Sequence, residues 1–430
     1  MSRHFMKPLI FRSASRTDRI IRLCGVCVAV LCLSSAARAA DGRLIPLHEA
    51  LAAAWNNDPV RRELATNAGS ADARAAAARS WFAGGPVLTA SYYDDRAGGT
   101  NLGYITWQGG VSVPLWLPGQ STATERVAAA DAKSALARVD VERMAVAIRV
   151  LEQSAAVILD ERRLSAGHAI VRSLEHIDAL TARARGHGEV ADIELQAVNA
   201  QLANARGEIA LAEEARSGDV TSLTTLLGIP GLPDLMAADP HWLDRIPPGE
   251  TRMIEERDPR VQAAHRAVAA AQEQMRLARA SFMPNPEVGL EAIDEGQYGS
   301  PWATQVGVNI RVPLPSDVTS TPMISAARDR LAAASRTETE ARRAVHTELA
   351  QVMARLTGAR EALIQAQAGA SQTMRRADAM EHSWTLGETS LIEALRARTE
   401  AWHSLLAFNQ AEVSWHSAIV RMGISTGTLP

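Results

Sequence analysis

Two hydrophobic rhythms alternate along this chain. Over Tyr104–Leu115 every second residue shares a face: Ile105, Trp107, Gly109, Val111, Val113 and Leu115 on one, Thr106, Gln108, Gly110 and Ser112 on the other. Trp302–Val312 repeats this, with Val306, Val308, Ile310 and Val312 opposite Ala303, Gln305, Gly307, Asn309 and Arg311. Just upstream, Val288, Leu290 and Ala292 oppose Glu287 and Glu291. A period of two with one apolar face predicts half-buried strands. About 9–11 residues each also suits a tilted crossing of a bilayer. All four tyrosines (Tyr92, Tyr93, Tyr104, Tyr298) lie in these segments with Trp107, Trp116 and Trp302, as an interfacial girdle requires. A soluble sheet lying on a core would alternate in the same way.

The second rhythm is helical. Residues 121–185 are rich in alanine and nearly free of proline. At ~1.5 Å per residue a continuous helix there would reach about 100 Å, longer than any compact domain. Abundant small side chains allow helices to approach closely, so long antiparallel helical hairpins are expected.

The chain is written twice. GEVADIE at Gly188–Glu194 is matched by GETSLIE at Gly387–Glu393. At similar offsets Asp58-Pro59 recurs as Asp258-Pro259, SWF from Ser80 as SFM from Ser281, and VPL at Val113–Leu115 as Val312–Leu314. LLGI at Leu226–Ile229 is echoed by RMGI at Arg421–Ile424, shifted by about one turn. Same-order matches of this kind predict a duplicated unit. Between the copies lies a proline-rich stretch that cannot continue a helix. Gly188 and Gly387 supply the left-handed freedom of a helix stop. Ser390-x-x-Glu393 reads as a capping box for the returning helix. The first copy has Ala191 at that place, and Asp192 is expected to cap instead.

The amino terminus adds a compartment. Arg16, Arg19 and Arg22 precede an apolar run at Leu23–Leu33, followed by a small-x-small site at Ala37-Arg38-Ala39. This pattern predicts a cleaved secretory signal peptide over 1–39, the run being too short to span a bilayer as a helix. The expected organisation is then a first repeat over 40–245, with a helix, a β-hairpin near 86–115 and a helical hairpin over 120–228. A second repeat over 246–430 follows, with a helix, a β-hairpin near 286–314 and a helical hairpin over 322–424. The two repeats are expected to form one domain. Cleavage would leave 38 basic against 47 acidic side chains, a net −9, which argues against nucleic acid as partner. Cys24, Cys27 and Cys32 all fall in the signal, leaving no thiolate for a metal or a substrate. The histidines are scattered with no i, i+4 pair, and no hydrolase or phosphate-binding motif occurs. No enzymatic role and no cofactor are therefore expected.

The duplication, the strand pairs inserted between long helices and the paired glycine–acid motifs together resemble the TolC-type outer-membrane efflux proteins over nearly all of the mature chain. The resemblance implies a mainly α fold with a small membrane β-barrel. Three copies would each give four strands to a shared twelve-stranded barrel and helical hairpins to a periplasmic α-barrel. Four strands are too few to close alone, since the smallest barrels have about eight. It implies an outer-membrane exit duct with a periplasmic extension, in a Gram-negative bacterium, surrounded by outer-membrane lipid. The duct would conduct passively what an inner-membrane pump delivers through a periplasmic membrane-fusion adaptor. Carried onto this sequence, Gly188, Glu189, Asp192 and Glu194 form one tip for adaptor docking, and Gly387, Glu388, Ser390 and Glu393 the other. Gln108, Glu287, Glu291, Gln305, Asn309 and Arg311 face the barrel lumen. The VPLP at Val312–Pro315 looks most like the heavy-metal (cobalt-zinc-cadmium type) branch served by resistance-nodulation-division pumps, with metal cations or small toxic compounds as cargo. A type I secretion duct would share the architecture, and a soluble periplasmic coiled-coil adaptor is the alternative of another class.

Overall fold

A computed structural model describes residues 43–95, 102–186, 191–241 and 251–427. The expected signal peptide, 1–39, lies outside them. The first copy runs β1 (Leu44–Ile45), α1 (Leu47–Asn57), α2 (Pro59–Ala77), β2 (Val87–Asp94), β3 (Tyr104–Pro114), α3 (Gln120–Gly186) and α4 (Asp192–Leu227). After β4 (Leu232–Pro233) the second copy runs α5 (Thr251–Arg257), α6 (Pro259–Ala280), β5 (Glu287–Gln297), β6 (Ala303–Arg311), α7 (Asp317–Thr385) and α8 (Leu391–Thr426). The helices α3 and α7 hold 67 and 69 residues, so each is roughly 100 Å long.

Duplication is visible in the local chemistry. Asp58 and Asp258 each cap the next helix, accepting from Val60 N at 2.7 Å and Arg260 N at 2.8 Å, with a proline at the first helical position. Two expectations need correction. The expected echo of LLGI at Arg421–Ile424 lies within α8. The true counterpart of Gly228 (φ 70°) is Gly427 (φ 68°), which ends α8 just as Gly228 ends α4. The second helical hairpin begins at Asp317, not at 322, with Ser316 as N-cap. Pro322 lies inside the helix, where it leaves the Val318 carbonyl without its i+4 donor. That turn is wide open to solvent, with Val318 85% exposed, so other partners are available to the carbonyl.

One sheet in the order β2-β3-β5-β6, antiparallel throughout, joins the strand pairs of both copies. Nearer the sheet, α2, α3, α6 and α7 lie side by side; farther away the order is α4, α3, α8, α7. Thus α2 and α4 form one edge of the molecule and α7 the other. The main core gathers where the two levels meet, with Ile45, Leu51, Val150, Val157, Leu227, Leu235 and Val420 buried together. The parallel pair β1–β4, not foreseen from the pattern, pins the inter-repeat linker there. A second cluster (Ile170, Leu174, Ile177, Val198, Leu202, Leu391, Leu395) ties α3, α4 and α8 near the far end.

An ion-pair hub crosses the junction in each copy, with reversed polarity. In copy one Arg149 of α3 reaches the capping Asp58 at 3.1 Å and also pairs with Glu142. The same position in copy two is Glu348 of α7. It pairs with Arg260, which in turn holds the capping Asp258 at 2.8 Å, and with Arg421 of α8. Burial alone would raise the Glu348 carboxyl, but the Arg260 and Arg421 guanidiniums outweigh it and hold its pKa below the usual range.

Candidate functional site

The far ends of the helical hairpins are built by backbone chemistry. In the second copy α7 closes in a Schellman motif: Glu388 N donates to Ser383 O (3.0 Å) and Gly387 N to Trp384 O (2.9 Å). That geometry needs Gly387 at φ 76°, where a side chain would be strained although nothing lies within 4 Å of a Cβ placed there. The Glu388 carboxylate accepts from Ser383 Oγ at 3.3 Å. Two residues on, Ser390 caps α8, its Oγ accepting from Glu393 N at 3.4 Å. The expected capping box is present on that side only: the Glu393 carboxylate turns to Arg396 at 2.7 Å.

The first tip differs. Gly188 and Glu189 lie outside the described residues. Asp192 does not cap α4, contrary to expectation; it is the first residue of the helix, after Ala191. A residue already in the helix cannot fold its own side chain back onto the first free amides as an N-cap does. Its carboxylate instead pairs with Arg185 of α3 at 2.5 Å, closing the turn from the side. Asp192 and Glu194 still place negative charge on the first turn, which the helix dipole favours. The equivalent of Asp192 is Leu391, 1% exposed within the cluster behind the tips. One tip is therefore anchored by an ion pair and the other by a buried leucine.

Sequence reasoning missed the apolar component. Ile193 is 72% exposed and its counterpart Ile392 47%, with Leu386 exposed beside the latter. The signal was present in the repeated Ile-Glu pair, but an isoleucine in a helical pattern reads as core.

At the opposite end the sheet has one polar and one apolar face. Glu291 accepts from Gln108 (3.3 Å) on β3 and Asn309 (3.1 Å) on β6. Glu287 accepts from Ser112 at 3.4 Å and lies 3.6 Å from Arg311. Gly110 and Gly307 stand opposite Glu291 in the register and leave room for its side chain. Gln305 shares this face by register, opposite Ile293, and among the described residues no hydrogen bond ties it to the carboxylates. On the reverse face Val111, Leu290 and Val308 stand in register and exposed, near Val306 and Ile310. Tyr92 meets Trp107 at 4.6 Å between ring centroids toward the rim. A contiguous exposed apolar sheet face of this kind marks contact with lipid or protein. No described helix is long and apolar enough to cross a membrane. Among the described residues no group of metal-ligating side chains gathers.

Residues 251–428 match the family model described as outer membrane efflux protein. The match covers the second copy, whose plan of elements the first copy repeats. Solved structures reproduce its fold almost end to end. A membrane protein from Pseudomonas aeruginosa is 18% identical (TM-score 0.73) over 90% of this chain and 92% of its own. CusC, solved in a study of folding and transmembrane channel formation, is 14% identical (TM-score 0.74) over 89% and 92%. The outer membrane protein VceC of Vibrio cholerae is 16% identical (TM-score 0.70) over 89% and 96%. None of the curated proteins matches this sequence.

Proposed function

We propose that this chain is a TolC-type outer-membrane efflux protein, three copies of which close into one duct with its helices in the periplasm, the passive exit of a tripartite pump. The observation that carries the reading is the sheet with two unpaired edges. Among the described residues β2 and β6 each lack a neighbour on one side, and the sheet is polar on one face and apolar on the other. Open edges in a bilayer are not tolerated, because unpaired backbone groups there find no water. Joining β6 of one copy to β2 of the next three times gives twelve strands and no edge. Glu287, Glu291, Asn309, Arg311, Gln108 and Gln305 then line a wet lumen, and Leu290, Val306 and Val308 face lipid.

The same closure sets the helical hairpins in a ring whose free ends are the two capped tips. These are the docking surface for a periplasmic membrane-fusion adaptor, which links the duct to an inner-membrane pump of the resistance-nodulation-division type. Gly387, Glu388, Ser390 and Glu393 form one contact; Asp192 and Glu194, with Gly188 and Glu189, form the other. Exposed Ile193 and Ile392 supply apolar knobs at equivalent places. The duct itself makes and breaks no bonds; metal cations or small toxic compounds are its cargo. The test is fractionation of the native protein, a gel run with and without heating, and mass measurement in detergent. A heat-labile trimer in the outer membrane is expected. A monomer released into the soluble periplasm would overturn the reading.

A further inference from the structure

Two carboxyls meet inside the first helical hairpin. Ion pairs fix the register of antiparallel α3 and α4: Glu161 with Arg216 at 3.2 Å and, nearer the tip, Glu175 with Arg206 at 2.8 Å. That register sets Asp219 of α4 opposite Asp160 of α3, and the two side chains stand within hydrogen-bonding reach. Asp160 is 3% exposed and Asp219 half-buried. Arg163, on the next turn of α3, donates to Asp160 Oδ1 at 3.3 Å, while among the described residues Oδ2 finds no donor. Two ionised carboxylates only accept, so a hydrogen bond between them needs a proton on one. Half-exposed Arg163 is screened by water and offsets only part of their repulsion. The neighbouring charges are engaged elsewhere: Arg216 by Glu161, and Glu412 of α8 by Arg162 at 3.3 Å. Burial lowers the pKa of His416, one turn beyond Glu412. The charged groups that act on Asp160 are Asp219 and Arg163. At the spacing that relates Gly228 to Gly427, the second hairpin has Ala359 and Ala418 instead, so the pair belongs to the first hairpin alone.

We propose that Asp160 and Asp219 hold one proton between them and that it clasps α3 to α4, so that the first hairpin is tightest in acid and loosens as pH rises. Burial, and then the Asp219 charge, raise the Asp160 carboxyl above its usual range. With the folded value raised, the clasp is whole below the unfolded carboxyl value near ~3.9 and is lost as pH climbs through the folded one. The site stands about 40 Å behind the hairpin end at ~1.5 Å per residue, beside the main core at Val157 and Ile158. It works within a single copy and does not depend on how copies assemble.

The test compares thermal melts of the full chain in detergent, from pH 4 to pH 8, with those of Asp160→Asn, whose amide supplies the missing donor and has no proton to lose. The two midpoints are expected to coincide near pH 4, and the variant to melt several degrees higher at pH 8. Asp219→Asn is expected to behave alike, and decides the matter should Asp160→Asn fail to fold. Carboxyls and histidines elsewhere titrate in all three proteins and cancel in the comparison. Infrared difference spectra of the unsubstituted protein are expected to show a protonated-carboxyl stretch that fades over the same pH range and is missing from the variants there. A variant deficit that is the same at every pH, or no such stretch, would overturn the proposal. So would a midpoint that EDTA lowers and magnesium restores in the unsubstituted protein alone, because a divalent cation would then bridge the pair.

Discussion

Glu348 sits 24% exposed at the centre of four charges and is the most informative single position in the helical body. Replacing it by glutamine keeps the shape and removes the charge that both Arg260 and Arg421 use. Hydrogen bonds to charged groups contribute about 1.5–3 kcal/mol each when protected, and less where solvent screens them. With two such bonds at a partly exposed site, a loss of ~2 kcal/mol is expected at pH 7. At ~2 °C or slightly less per kcal/mol for a chain of this size, the thermal midpoint should fall by about 2–4 °C. The pH dependence gives a sharper check. The folded Glu348 pKa is depressed, so its stabilisation is present above the unfolded carboxylate value near ~4.3 and lost as pH falls through the folded value. Circular-dichroism melts of both proteins in detergent, at one scan rate, should therefore converge as pH is lowered from 7 toward 3. An unchanged midpoint at pH 7, or a deficit that stays constant down to pH 3, would show that the hub contributes nothing through its charge.

At the tip, Gly387→Ala is expected to weaken the turn by about 1–2 kcal/mol, the left-handed penalty, and Gly387→Asn by less. If efflux in a susceptibility assay follows that order the glycine serves the backbone; equal loss with both would mean a partner needs the bare surface. Ile193→Glu with Ile392→Glu should leave trimer mass and melting unchanged while reducing adaptor capture by crosslinking at least several-fold; undiminished capture would remove the apolar knobs from the docking surface. In planar bilayers Glu287→Gln with Glu291→Gln should shift the reversal potential away from cation preference, and an identical potential would show that the lumen carboxylates do not select ions.

Much of this was legible because the relevant physics is local. The alternation in Tyr104–Leu115 and Trp302–Val312 fixed which residues share a face, and the register now pairs Gln108 and Asn309 with Glu291 across that face. Ser390 and Gly387 announced their roles because capping and positive φ involve neighbours within a few residues. What stayed hidden depends on distant partners. Nothing near Asp192 says that Arg185 will meet it across a turn, and the expected start at 322 missed the solvent-exposed turn that follows Ser316. Ile193 and Ile392 fit a core pattern; only the fold shows that they stand exposed. The reversed hub was likewise unreadable, since Arg149 and Glu348 find their partners 91 and 88 residues away.

That reversal labels the two halves for the folding chain. Two homologous long helices form in one polypeptide, each with a similar capped helix to receive it, so a cross-pairing is the natural error. Were α3 to lie where α7 belongs, Arg149 would crowd Arg260 at the capping Asp258 and Arg421 would lose Glu348; were α7 to lie where α3 belongs, Glu348 would confront the capping Asp58. Both mistakes bring like charges together at a half-buried junction and leave one charge of the hub without its native partner. A single inverted ion pair thus acts as an address, keeping apart two segments that duplication made alike.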